Sequence, residues 1–313
     1  MTIGEQIFDE DAPGFIEACI ENGITELDTA FVYNEGTCEE ILGRALKALG
    51  SPEIRVSTKL SPRITGRLDA EAAYSQLNKS LERLQLDHVD TVYLHYPDAN
   101  TPIESVLEAC TAMHEDGKFK ELGLSNFPGW LVADAYYKAK ENGFILPTVY
   151  QGLYNPLSRS AEEELIPAVR NYGLRYYAYN PLAGGFLTNK YSTYEEAPET
   201  GRFTYRPNYK GRYWHRSFFD AASLIKEQCA KEGITIIEAA YRWMAYHSAL
   251  DGDKGDAIII GASKLRQLKQ NADAVKNGPL SEEMQAVFQE AWHIAKADAP
   301  PCFRIYRGGS GRF

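Results

Sequence analysis

The sequence predicts a parallel α/β fold of the (β/α)8 TIM-barrel class, and three observations carry that prediction. Short apolar runs of strand length alternate with amphipathic stretches of helical period along nearly the whole chain, the pattern of parallel strands joined by helical crossovers. Asp28, Lys59 and His95 stand at the downstream ends of three successive runs, and the phenol of Tyr33 follows shortly after Asp28. Chemistry in a β/α barrel sits at the carboxyl ends of the strands, so these four residues form the candidate active site. A chain of 313 residues with 44% hydrophobic residues suffices for one such domain, residues 1–313, with a large core.

In chain order, Ala12 to Asn22 reads as a helix, and Gly23 ends it as a left-handed cap would. Strand Ile24–Asp28 follows, then helix Cys38–Leu49, strand Ile54–Lys59, helix Asp69–Leu86 and strand Val89–His95. Helix Ile103–Glu115, strand Glu121–Ser125, helix Gly129–Asn142, strand Val149–Tyr154, helix Ala161–Tyr172 and strand Arg175–Tyr179 continue the alternation. After a long irregular stretch come helices Phe218–Glu232 and Ile236–Tyr246, strand Ala257–Gly261, helix Lys264–Asn277 and a last helix, Ser281–Ala297, before a tail rich in glycine and arginine. That makes seven strands, one short of a closed barrel. The eighth should precede the first helix, where only Met1–Glu10 is available, so the first strand is expected to be very short or missing. The connection Leu182–Arg216, rich in Tyr, Arg and Gly, is too long for a simple turn and is expected to cover a ligand.

Composition excludes several classes. A net charge of −10 argues against a nucleic-acid surface, because neutralising phosphates takes a basic field. The five scattered cysteines lack a Cys-x-x-Cys pair, which fits idle thiols in a reducing compartment better than a disulfide or zinc framework, so no metal site is expected. No apolar run approaches membrane-spanning length and no signal pattern opens the chain, so a soluble cytoplasmic protein is expected.

Asp28, Tyr33, Lys59 and His95, in that order and at those strand ends, resemble the catalytic tetrad of the aldo-keto reductase superfamily. Leu122–Asn126, Tyr150–Asn155 and Tyr179–Gly185 resemble its nicotinamide and pyrophosphate motifs, and Gly261–Lys264 through Gln270-Asn271 its adenosine-phosphate motif. Thr148–Gly152, Asn180–Gly185 and Arg212-Tyr213-Trp214 are most similar to the branch containing aflatoxin-aldehyde and succinic-semialdehyde reductases. The resemblance runs from Asp11 to Arg304 and implies carbonyl reduction with NADPH; the branch includes dimers. It implies that Ser125, Asn126 and Gln151 bond the carboxamide and that Tyr179 lies against the nicotinamide, in a run continuing through Asn180, Pro181, Leu182 and Ala183. No Gly-x-Gly-x-x-Gly follows a strand, so a Rossmann mode is not expected. Gly184 and Gly185 would let backbone approach the pyrophosphate, with Lys190 and Arg202 neutralising it. Ser263 and Lys264 open a helix, where a phosphate or a simple serine cap fits equally on sequence alone; the resemblance favours the phosphate, with Gln267, where many relatives use arginine, Gln270 and Asn271 beside it. Tyr209, Arg212 and Arg304 match positions that meet the acidic end of the substrate in that branch.

The chemistry is coherent with those roles. Carbonyl reduction needs a hydride to carbon, which the cofactor supplies, and a proton to oxygen. Tyr33 is the candidate acid, and Lys59 is expected to lower its pKa from about 10; a shift of about 3 units takes roughly 4 kcal/mol. Asp28 would fix Lys59, and His95 would donate to the substrate oxygen. Singly, an Asp–Lys pair is more often a structural salt bridge, a strand-end tyrosine rim packing and a lone histidine a core residue; the four together at successive strand ends reverse that. Two rivals share the barrel: a lyase using Lys59 as a Schiff base, and a non-catalytic NADP-binding regulatory subunit.

Overall fold

Seven parallel strands pair in the order in which they occur in the chain. The computed structural model describes residues 2–196, 199 and 201–308; Met1, parts of the long connection and the glycine- and arginine-rich end of the tail lie outside the described residues. The elements are α1 (Ala12–Glu21), β1 (Glu26–Asp28), α2 (Thr37–Ala48), β2 (Arg55–Leu60), α3 (Pro62–Thr65), α4 (Ala70–Leu84), β3 (Val89–Leu94), α5 (Ile103–Glu115), β4 (Phe119–Ser125) and α6 (Gly129–Asn142). They continue with β5 (Pro147–Leu153), α7 (Leu165–Asn171), β6 (Arg175–Tyr179), α8 (Arg202–Tyr205), α9 (Pro207–Tyr213), α10 (Arg216–Glu232), α11 (Ile236–Tyr246), β7 (Ala257–Ile258), α12 (Leu265–Ala274) and α13 (Glu282–Ala295). Each of the seven expected strands is present, and Gly23 adopts the expected positive φ of 77° just after α1. The connection expected to be irregular contains the two short helices α8 and α9, begun at Arg202 and at Pro207.

Local sequence explains the elements. Asp69 caps α4 by accepting from the amide of Ala72, Thr235 caps α11 through Glu238, and Ser281 caps α13 through Met284. Apolar faces of the helices cover the outside of the sheet, with Val56, Val92, Leu122, Leu124 and Tyr176 buried between. The sheet curls: Gln151 on β5 reaches Asp28 on β1 at 2.8 Å, and Arg55 on β2 reaches the hydroxyl of Tyr177 on β6 at 3.2 Å.

Among the described residues, none before α1 forms a strand. The Thr2 carbonyl accepts from the amides of Glu5, Gln6 and Ile7, closing a compact turn whose hydrogen bonds are satisfied within itself. That turn is held over the carboxyl ends of the strands by Asn34, which donates to the Ile3 carbonyl at 2.8 Å, and by Arg206, which pairs with Glu5 at 2.7 Å. β1 and β7 consequently pair on one side only, and both are shorter than the runs Ile24–Asp28 and Ala257–Gly261 that predicted them. α1 packs against α12 outside this seam.

Candidate active site

Asp28 ends β1, Lys59 lies near the end of β2 and His95 directly follows β3. The ladder aligns Asp28 with Ser57 and Lys59 with Tyr93, which brings these strand ends side by side. The ammonium of Lys59 donates to both carboxylate oxygens of Asp28, at 2.6 and 2.7 Å, and to the Thr29 carbonyl at 2.7 Å. Lys59 itself is fully buried. Its ammonium lies 5.0 Å from the centre of the Tyr33 ring, and that ring meets His95 edge-on at 5.9 Å. The four predicted residues therefore gather in one place.

One electrostatic expectation is overturned. Burial, reinforced by the Asp28 carboxylate, holds the Tyr33 phenol well above its ordinary 10, whereas the sequence reading had Lys59 lowering it. Burial of the phenol and the Asp28 carboxylate that holds the ammonium outweigh the Lys59 field, which still acts 5.0 Å from the ring. Burial and the fields of Lys59 and Arg63 hold the His95 imidazole well below 6.5, hence neutral, and its Nδ1 has no hydrogen-bond partner.

Asp28, Tyr33 and His95 line a cavity of about 1660 Å³ that runs from this cluster towards the start of α12 and into the seam. Ser125, Asn126, Gln151, Tyr179, Asn180, Pro181, Leu182, Gly184, Gly185, Lys190, Arg202, Ser263, Gln267, Gln270 and Asn271 line it, as do Tyr209 and Arg212. Its polar groups are already organised: Asn126 donates to the His95 carbonyl at 2.9 Å and accepts from the Tyr179 hydroxyl at 2.8 Å. Asn126, Asn180 and Ala183 hold positive φ of 63°, 59° and 48°, conformations costly outside glycine that cluster at ligand sites. A Cβ on Gly184 would press into the Tyr209 ring at 2.5 Å, whereas one on Gly185 would meet open space. The Gly185 amide, expected to face phosphate, is instead used within its own turn, donating to the Leu182 carbonyl at 2.9 Å.

The site stands beside informative relatives. The aldo/keto reductase family model matches residues 1–293. The chain is 44% identical to aflatoxin B1 aldehyde reductase member 2 of Rattus norvegicus, over 97% of this chain and 86% of the relative. It is likewise 44% identical to aldo-keto reductase family 7 member A3 of Homo sapiens, over 97% and 95%. It is 36% identical to oxidoreductase sirO of Leptosphaeria maculans, over 93% and 88%. The chain belongs to the aldo/keto reductase family.

Several expected residues of this aldo-keto reductase fall outside the cavity wall. Lys59 lies beneath it, Ala183 is buried, and Lys264 is exposed at the start of α12. Gln267 accepts from the Ser263 amide at 3.0 Å and hydroxyl at 2.7 Å, which makes Ser263 and Gln267 a closed pair around the helix start. Arg266, one position earlier, lines the cavity as well and brings the cation that Gln267 lacks. Arg304 sits on the rim, its amide donating to the Asn126 carbonyl at 2.9 Å, in a tail strapped to the loop after β3 by Tyr306 and Pro97 at 2.9 Å. Tyr96 and Arg63 also line the cavity and were missed by sequence reasoning. Tyr96 stacks on His95 at 4.5 Å, and its adjacency to His95 was the available signal. Among the described residues no cluster of His, Cys, Asp or Glu could hold a metal, no helix is long and apolar enough to cross a membrane, and the cysteines are free thiols.

Proposed function

We propose that this enzyme reduces aldehydes or ketones with NADPH, with Tyr33 as general acid. The observation that carries the reading is the Asp28–Lys59 pair beneath a phenol and a neutral imidazole on the wall of one cavity. The residues fit a nicotinamide cofactor: Tyr179 offers a ring anchored through its hydroxyl, Asn126, Ser125 and Gln151 offer amide and hydroxyl groups, and Lys190, Arg202 and Arg266 offer charge for phosphates along the trench. A reduced nicotinamide bound there supplies the hydride.

The chain's own groups supply the rest. Neutral His95 carries one ring N–H, and its Nδ1 is without a partner, so the imidazole can donate to a carbonyl oxygen without bringing a charge that would repel Lys59. Tyr33 enters as a neutral phenol held protonated by burial. As the substrate oxygen becomes an alkoxide it is far more basic than a phenolate, and the proton moves from the Tyr33 hydroxyl to that oxygen. The phenolate left behind is stabilised by the ammonium of Lys59 close to its ring, while Asp28 keeps the ammonium in place. Lys59 is an unfavourable Schiff base, because three hydrogen bonds hold it and it does not reach the cavity.

The test is reduction of a panel of uncharged, carboxylated and dicarbonyl aldehydes with NADPH and with NADH, beside Tyr33→Phe. NADPH oxidation by the wild type, lost in Tyr33→Phe with cofactor binding retained, is the expected result. Turnover that survives in Tyr33→Phe overturns the role of Tyr33. Borohydride trapping of substrate on Lys59 without nicotinamide oxidation would favour the lyase.

A further inference from the structure

Arginines of this chain divide into two groups. Arg44, Arg55, Arg67, Arg83, Arg170 and Arg175 are among those paired with carboxylates. Arg63, Arg202, Arg212 and Arg266 make no such pair among the described residues and line the cavity, and Arg304, likewise unpaired, stands in the field of Arg212. Arg266 stands near the start of α12, and Arg202 lies 5.0 Å over the Tyr209 ring. The other three surround the His95 end.

Tyr96 is the neighbour they share. The guanidinium of Arg63 lies 5.8 Å over its ring, and the ring stacks on His95. Arg212 lies 5.1 Å over the Tyr209 ring and keeps a buried Nε without an acceptor. Arg304 is held by its backbone amide, which donates to the Asn126 carbonyl at 2.9 Å. Burial and the field of Arg212 push the Arg304 guanidinium down, while Tyr179 and Tyr96 act on both. A chain of net charge −10 has carboxylates to spare, yet among the described residues none pairs with these three cations. Arg212 and Arg304 are half-buried, and like charges held together out of water are costly unless a ligand supplies the missing charge; exposed Arg63 adds a third cation on Tyr96.

We propose that Arg63, with Arg212 and Arg304, selects aldehydes that carry two negative charges, either two carboxylates or one phosphate monoester. This rests on the carbonyl-reductase reading above. A single carboxylate satisfies one fork; the second charge meets Arg63, which stands just after β2 over the Tyr96 ring that stacks on His95. Arg63 is exposed and its side chain makes no hydrogen bond or ion pair among the described residues, so its removal should leave the fold intact.

The experiment compares benzaldehyde, 4-carboxybenzaldehyde, 5-formylisophthalate and 4-formylphenyl phosphate on wild type, Arg63→Ala and Arg63→Lys. Isothermal titration of isophthalate, benzoate and phenyl phosphate gives binding without turnover. A charge-assisted contact of ordinary strength predicts about tenfold lower KM for the doubly charged aldehydes than for the singly charged one. Arg63→Ala should erase that tenfold step, leave the preference for one carboxylate over none, and weaken isophthalate or phenyl phosphate binding by the same factor. Arg63→Lys should restore part of it. Gain confined to one of the two dianions identifies which source the site takes. No gain for either dianion, or an equal loss in Arg63→Ala for benzaldehyde and the dianions, overturns the proposal. If no aldehyde is turned over the reductase reading fails, and the titrations still decide whether Arg63 binds a dianion.

Discussion

The two ends of β1 belong to differently built regions. On the side facing β2 and β3, Asp28, Lys59 and His95 are locked by a continuous parallel ladder and by a dense set of side-chain hydrogen bonds. On the other side, β1 and the two-residue β7 present unpaired edges, and α1 and α12 span the gap from outside. The proposed proton-transfer groups are thus built on the over-determined wall, whereas Gly261–Ser263, beside the proposed phosphate end, hangs from the under-determined one. Tight geometry is required where a proton must travel along one hydrogen bond; a phosphate held by several mobile cations tolerates a looser frame.

The largest break of this contrast is Lys59→Met. Removing the ammonium leaves the Asp28 carboxylate with Gln151 and Ser57 but no cation, so about 3–5 kcal/mol of stability should go, together with activity. Tyr33→Phe should lose activity by a factor of about 10² or more with an unchanged melting temperature, separating chemistry from scaffold. Denaturant unfolding of both variants checks this, and a Lys59→Met protein as stable as wild type would show that the pair is not what locks the wall.

Next comes a matched pair of glycine substitutions. A Cβ at Gly152 on β5 would run into the hydroxyl of Tyr176 and lie 2.7 Å from Tyr150, both buried and hydrogen-bonded to backbone carbonyls. Gly152→Ala should cost about 1–3 kcal/mol. At Gly261, just past β7, nothing lies within 4 Å of such a Cβ, and Gly261→Ala should change stability by less than about 0.5 kcal/mol. Equal losses at the two positions would mean that the seam is packed as tightly as the wall.

pH sharpens the comparison through groups on the locked side. Because burial keeps His95 neutral in the fold, the unfolded chain takes up the proton first as pH drops below 6.5, and stability falls from there downward. His247, lowered by burial and Arg242, adds the same sign. Tyr33 acts at the other limit: its raised pKa means that the unfolded chain ionises first as pH climbs past 10, and stability falls from there upward. Between those limits neither His95 nor Tyr33 changes charge in the fold, so kcat/KM for reduction should be flat from pH 7 to about 9. A decline near neutral pH would show that a lowered phenol pKa governs turnover after all.

The sequence made the wall legible and the seam only half so. Asp28, Lys59 and His95 could be placed because strand periodicity fixes which residue ends a strand, and chemistry sits at that end. The absence of a strand before α1 could be anticipated by counting. What could not be read was how charge is arranged: that Lys59 is held by both oxygens of Asp28, that Gln267 closes on Ser263 while Arg266 joins it on the cavity wall, or that Arg63 turns onto Tyr96. These depend on side-chain direction across elements far apart in the chain, which no local pattern encodes.

The smallest expected effect lies in the seam itself. Tyr241 on α11 is almost fully buried and lines the part of the cavity near β7, yet its hydroxyl has no hydrogen-bond partner. A buried hydroxyl without a partner forfeits its hydration and gains nothing in exchange. Tyr241→Phe should therefore be neutral or stabilise the protein by up to about 1 kcal/mol, with kcat unchanged because the ring is remote from Tyr33 and His95. The same change in a well-bonded tyrosine on the wall, Tyr150→Phe, removes a 2.7 Å bond to the Phe127 carbonyl and should cost about 1–2 kcal/mol. If Tyr241→Phe instead destabilises as much as Tyr150→Phe, a hydrogen-bonded group occupies the seam in solution, and the two sides of β1 are more alike than their strand pairing indicates.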